Sequence, residues 1–248
     1  MDLGLADRVF IVTGGSKGLG YAGAAALVAE GARVVISSRS QDSVAAAVEQ
    51  LGPDRARGLS RDNADAATAD QLVTLATATW GRLDGALISV GGPPATDALG
   101  ATDEQWRDGF ETITLGAVRM VRAVVPHLRE GGAIGLVLST SAKSPIAGLA
   151  ISNGLRPGLA MWAKQLADEL GPQGIRVVSL LPGAILTDRM RSLAPTTDAQ
   201  AERAKTIPLR RLGDPAEFGH VAAFALSPAA SYLSGCAIPV DGGALRLL

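Results

Sequence analysis

The eight residues Thr13-Gly14-Gly15-Ser16-Lys17-Gly18-Leu19-Gly20 have the types and spacing of a phosphate cradle. Glycine adopts positive φ and lets the backbone approach a ligand closely, and a helix that starts at such a loop points unpaired N–H groups and its positive dipole end at an anion. The apolar run Val9-Phe10-Ile11-Val12 comes before the loop and an alanine-rich stretch after it. Strand, glycine loop and helix in that order predict a bound pyrophosphate, hence a dinucleotide. A second candidate group is Ser37-Ser38-Arg39, at the end of the next β-branched run. An acidic side chain there would accept from the adenosine ribose hydroxyls and repel a 2′-phosphate. Here Arg39 offers a planar fork suited to phosphate, the serines can donate to it, and Lys17 adds a cation from the glycine loop. The reading is NADP(H) in preference to NAD(H).

Such groups must be held where strands end and helices begin. After the first strand, residues 33–37, 85–89, 134–139, 175–181 and 236–240 read as buried strands, and residues 21–30, 41–51, 66–79, 103–129, 155–170 and 215–226 as helices. Strands that are apolar throughout, joined by helical crossovers, imply a parallel sheet covered on both faces. The predicted fold is α/β: a single-domain doubly wound Rossmann fold, 1–248, with a mainly parallel sheet and its ligands at the carboxyl ends of the strands. The segment 187–215 is the least regular long stretch and follows a strand end, so it is expected to overhang the site as a substrate lid. It carries Arg189, Arg191, Arg203, Lys205, Arg210 and Arg211 against Asp188, Asp198, Glu202 and Asp214. A basic lid would attract an anionic carrier such as coenzyme A or acyl carrier protein; a solvated helix face is the plainer reading.

Composition narrows the partners. The chain has 248 residues, 47% hydrophobic and 19% charged, with a formal net charge of -1. That balance gives no electrostatic reason for nucleic acid or an anionic membrane. The single Cys236 makes no disulfide framework and fits a reducing cytoplasm. Residues 1–5 do not read as a leader, and the apolar runs fall short of the ~18 residues of a membrane span. His127 and His220 have no metal-ligand spacing, so no metal is predicted.

The glycines at 14, 18 and 20 after Thr13 resemble the loop of the short-chain dehydrogenase/reductase family, and further matches run down the whole chain. Asp62 looks like the family's adenine-contacting aspartate, with Asn63 beside it. Pro182-Gly183-Ala184-Ile185-Leu186-Thr187 is similar to the segment beside the nicotinamide. Arg211 to Glu217 and Val240-Asp241-Gly242-Gly243 resemble the carboxyl-terminal signatures. The resemblance implies hydride transfer between a nicotinamide cofactor and an alcohol or ketone, as in the 3-oxoacyl carrier-protein reductases, by a homotetramer or dimer. The long helices at 103–129 and 155–170 are candidates for a shared interface.

The same resemblance places the family's catalytic groups, and most of them differ here. Counted from Leu166-Ala167-Asp168-Glu169-Leu170, the acid tyrosine position holds Ser152 and the lysine position four residues on holds Arg156. The asparagine position holds Ile113. The catalytic serine is Ser139 by spacing, or Ser141 by a small shift. Gly91 is the one residue kept from the family's Asn-Asn-Ala-Gly turn. Gly91-Gly92-Pro93-Pro94 and Ser152-Asn153-x-x-Arg156 are similar to an atypical branch of the family. Ser152 and Arg156 at i, i+4 should share a helix face. A serine hydroxyl is far less acidic than a phenol and arginine stays charged, although it can hold a ribose hydroxyl or stabilise an oxyanion. Two functions follow. The first is an NADPH-dependent oxidoreductase acting on an activated carbonyl, enone or iminium without the usual tyrosine acid. The alternative is a non-catalytic NADP(H)-binding sensor or partner subunit.

Overall fold

The structure is a computed structural model that describes residues 1–246. The first strand, β1 (Val9–Thr13), is buried along its length because it lies mid-sheet. Its residues alternate between two cores: Val9 and Ile11 face one layer of helices, Phe10 and Val12 the other. The chain continues through α1 (Gly18–Ala29), β2 (Arg33–Ser38), α2 (Gln41–Leu51), β3 (Ala56–Ser60), α3 (Thr68–Trp80) and β4 (Gly85–Ile88). Then come α4 (Asp103–Gly109), a π-helical turn (Phe110–Leu115), α5 (Gly116–Val124), β5 (Ala133–Val137), α6 (Ala150–Leu170) and β6 (Arg176–Pro182). The chain ends with α7 (Asp188–Leu193), α8 (Thr197–Lys205), α9 (Pro215–Leu226) and β7 (Cys236–Val240).

The seven strands form one sheet in the order β3-β2-β1-β4-β5-β6-β7, and every pairing is parallel. This is the doubly wound Rossmann fold expected from the sequence, all parallel rather than mainly so. Helices α3, α5 and α6 cover one face; α1, α2 and α9 cover the other. Strand order reverses between β1 and β4, which opens a crevice at their carboxyl ends.

Four elements differ from expectation. Strand β3, Ala-Arg-Gly-Leu-Ser, is neither an apolar run nor an alternating one. It is an edge strand held by its register on β2, Val34 against Ala56. Helix α6 begins at Ala150 and not at 155, because Gly154, Pro157 and Gly158 mask its helical pattern; Asn153 steadies its first turn by bonding both Ile146 N–H (3.0 Å) and Ile146 C=O (2.9 Å). The long helix expected at 103–129 is interrupted by the π turn. Segment 187–215 is not irregular: it holds α7 and α8, capped by the Thr187 and Thr196 hydroxyls.

Candidate functional site

The glycine loop is shaped by backbone with no space for side chains. At Gly14, φ is 59° and a Cβ would lie 2.7 Å from Ser89 C=O; at Gly20 it would lie 2.2 Å from Gly14 C=O. The loop therefore folds tightly against the first turn of α1, which leaves the N–H groups of that turn facing the crevice. Thr13 has a different place from the one expected. Its side chain is fully buried and not on the cleft wall, because its hydroxyl donates to Ser89 C=O (2.8 Å) and accepts from Ser89 N–H (2.9 Å). It ties β1 to β4 where the strand order reverses.

A cleft of about 1180 Å³ runs across the carboxyl ends of the strands, larger than the ~300–1,000 Å³ typical of a single small ligand. Gly14, Ser16, Lys17, Gly18, Leu19 and Gly20 form the middle of its wall. Ser38, Arg39, Asp62 and Asn63 lie at the β2–β3 end, and Gly91, Pro182, Gly183 and Thr187 beyond the loop. Ser37 does not join them. It is buried, its hydroxyl has no partner, and only its carbonyl works, accepting from Gly15 N–H at 3.0 Å. Arg61, absent from the sequence reading, lines the wall together with Arg39. No residue pattern marks it, since β3 itself was not visible.

The residues expected to do chemistry meet at the start of α6. Ser139 is on the cleft wall, where its hydroxyl caps a short turn by accepting from Ser141 N–H at 3.0 Å. Ser141 lies behind it, buried, with its Oγ 2.9 Å from Ser152 Oγ. Ser152 and Arg156, one turn apart on α6, both line the cleft and are both buried. Arg156 donates from Nη1 to Val137 C=O at 2.6 Å, and its Nε has no partner. Burial, reinforced by the like charge of Arg189, lowers its pKa to about 10, so it remains a cation at neutral pH. Ile113 is fully buried in the π turn and packs in the core facing α6. An apolar side chain there cannot anchor a water.

One contact across the cleft has no sequence signal. Arg189, at the start of α7, donates to Gly92 C=O (3.2 Å) and Pro93 C=O (2.6 Å), residues nearly a hundred positions earlier. It fastens the covering segment to the Gly91-Gly92-Pro93-Pro94 loop. Other charges of that segment are neutralised locally: Arg191 pairs with Asp188, Lys205 with Glu202, and Arg211 makes a two-bonded pair with Glu217. The last pair, with the Asp214 backbone N–H, lowers the Glu217 carboxyl to about 2. Among the described residues no cluster of His, Cys, Asp or Glu could hold a metal, and no helix is long and apolar enough to cross a membrane.

The sequence profile described as enoyl-(acyl carrier protein) reductase matches residues 14–244, nearly the whole chain and all of the cleft. Human dehydrogenase/reductase SDR family member 4 is 33% identical over 247 residues, covering 96% of this chain and 88% of the relative. This chain belongs to the short-chain dehydrogenase/reductase family. Two solved members sharpen the comparison. L-sorbose reductase from Gluconobacter frateurii, complexed with NADPH and L-sorbose, superimposes with a TM-score of 0.93 at 30% identity over all of both chains. A short-chain oxidoreductase from Pseudomonas aeruginosa described as containing an atypical catalytic center gives 0.93 at 28%, over 99% of this chain and 100% of that one. As a short-chain dehydrogenase/reductase, the protein has an expectation of NADP(H) that is consistent with its family.

Proposed function

We propose that the protein is an NADPH-dependent reductase of activated acceptors, an activated carbonyl or an enone, working without a tyrosine acid. The observation that carries this is the Ser152 hydroxyl, hydrogen-bonded to the buried Ser141 behind it and one helical turn from the buried Arg156, in the same cleft as the glycine cradle. In this reading the α1 N–H groups hold the pyrophosphate, and Ser38, Arg39 and Lys17 hold the 2′-phosphate. Asp62, Asn63 and Gly91 line the adenosine side, while Pro182, Gly183 and Thr187 bound the nicotinamide. NADPH supplies a hydride when bound.

The protein's own groups serve the acceptor. Ser139 orients it, Ser152 donates a hydrogen bond to its oxygen, and Ser141 fixes the Ser152 rotamer. Arg156 stabilises negative charge that develops on the oxygen as the new C–H bond forms. Neither serine nor arginine is a competent general acid at neutral pH, so the final proton comes from water. An acceptor whose reduced form is a delocalised enolate, or an alkoxide made less basic by an adjacent carbonyl, tolerates this. A simple ketone, which becomes an alkoxide, does not. A cationic iminium is disfavoured by the charge of Arg156.

The reading extends to assembly and location: a homotetramer or dimer, supported by Phe110 and Met161 exposed on the two long helical stretches, in the cytoplasm, supported by the unpaired Cys236. The functional test is NADPH consumption against matched enones, 1,2-diketones and simple ketones. Turnover is expected with the first two and at least roughly 100-fold less with the third. Tight NADPH binding with no turnover on any of them would favour the non-catalytic alternative.

A further inference from the structure

Among the described residues two arginines are buried, and they are served very differently. Arg176 of β6 donates to Ala225 C=O, Leu233 C=O and Ser227 C=O at 2.8, 3.2 and 2.9 Å, which accounts for its burial as a strut between β6 and α9. Arg156 makes a single hydrogen bond, leaves Nε without a partner, and has no carboxylate partner among the described residues. The residue lines the cleft. A buried cation left so incompletely paired is costly, and the cost is offset when an anion arrives.

The surroundings say what sort of anion. Arg189 and Arg203 also line this end of the cleft without a carboxylate partner, whereas the one acidic residue contributed by α7, Asp188, is paired with Arg191. Pro145, Ile146, Leu149, Met190 and Leu193 make much of that end apolar, with Ser144, Thr206 and, from α4, Asp108 also on the wall. The phosphates of NADPH have partners of their own in the reading above, the pyrophosphate at the first turn of α1 and the 2′-phosphate at Lys17, Ser38 and Arg39, so they do not answer the charge of Arg156.

We propose that the substrate is a carboxylate with an apolar body, a 2-oxo acid or an α,β-unsaturated acid, whose carboxylate is held by Arg156 beside Ser152. The proposal rests on the reductase reading for the identity of the reducible group, but not for the anion site. The planar fork of Arg156 matches a carboxylate two-to-two, and the apolar wall covers the remainder of the molecule.

The test is calorimetric titration of the NADP⁺-loaded protein with phenylpyruvate and with cinnamate, each against its methyl ester. Each acid should bind roughly tenfold or more tightly than its ester. Arg156→Met should reduce that preference to within about threefold, and Arg156→Lys should retain part of it. Equal binding of acid and ester in the wild type overturns the proposal, as does a preference that survives Arg156→Met. If that variant does not fold, Arg156→Gln and the wild-type ratio decide the same question. Because binding is read without turnover, the two readings fail separately. Acid preference without NADPH oxidation would sink the reductase and keep the anion site; equal reduction of acid and ester by NADPH would do the reverse.

Discussion

Along the glycine loop the cleft wall is backbone, fixed by atoms that leave no room for a side chain. At the start of α6 it is side chains: Ser139, Ser152 and Arg156. In the proposed reading the first region recognises a pyrophosphate through N–H groups that every residue has, provided glycine stands where the chain must turn. The second depends on what each side chain can donate, accept or hold as charge, so single replacements change its chemistry while the fold stays intact. Binding and reaction are therefore separable here. The L-sorbose reductase fold, complexed with NADPH, coincides with this one closely; in the proposed reading Ser152 and Arg156 take the places of the family's tyrosine and lysine.

The largest effect should come from breaking the backbone region. In Gly20→Ala the new Cβ meets Gly14 C=O at 2.2 Å, and the loop must open; a loss on the order of 3 kcal/mol in stability is expected. Fluorescence titration should then detect no NADPH binding, whereas Ser152→Ala should keep NADPH affinity within about threefold of wild type. Comparable losses in both variants would erase the distinction between the regions.

Arg39→Asp sharpens the comparison inside the cofactor half. Removing a charge-assisted donor and adding a repelling carboxylate should cost about 2–3 kcal/mol, a loss of roughly 100-fold for NADPH. NADH affinity should hold or improve. Unchanged affinities for both cofactors would remove Arg39 from the 2′-phosphate site.

Arg156→Met should give the smallest shift, and one of opposite sign. Burial makes the fold release this proton at about 10, well below the ordinary arginine range at which the unfolded chain gives it up. The penalty of the buried charge is thus constant from neutral pH up to about 10 and fades only above that. Replacing the cation with an apolar side chain should stabilise the apo protein by about 1–2 kcal/mol after the lost bond to Val137 C=O is counted. Thermal unfolding at neutral pH measures it. A clear fall in Tm would mean that Arg156 is a structural strut like Arg176.

Legibility in the sequence follows the same division. The loop, the buried strands and α9 could be read because each is a local signal: glycine spacing, apolar runs and helical periodicity. What could not be read depends on distant partners. β3 exists because β2 offers it an edge, and α6 starts early because Asn153 finds Ile146. Thr13 turned out to serve Ser89, and Ser37 to be buried, because the sheet ends there and not in the cleft. The Arg189 tie to Gly92 and Pro93, and the placement of Ser141 behind Ser139, follow from how the loops close. The candidate catalytic positions themselves were reached by resemblance, and the structure gathers all of them around the start of α6 except Ile113, which packs into the core.

The central claim is that the cleft keeps its NADPH cradle and lacks the acid that ketone reduction needs. The double variant Ser152→Tyr/Arg156→Lys tests it most directly, assayed for reduction of a simple ketone alongside NADPH affinity. The account predicts affinity within about threefold of wild type and a gain in ketone reduction of roughly 10²–10⁴-fold, the usual contribution of a general acid. A wild-type protein that already reduces the simple ketone as fast as an enone would contradict it, as would a folded, NADPH-loaded double variant that gains nothing.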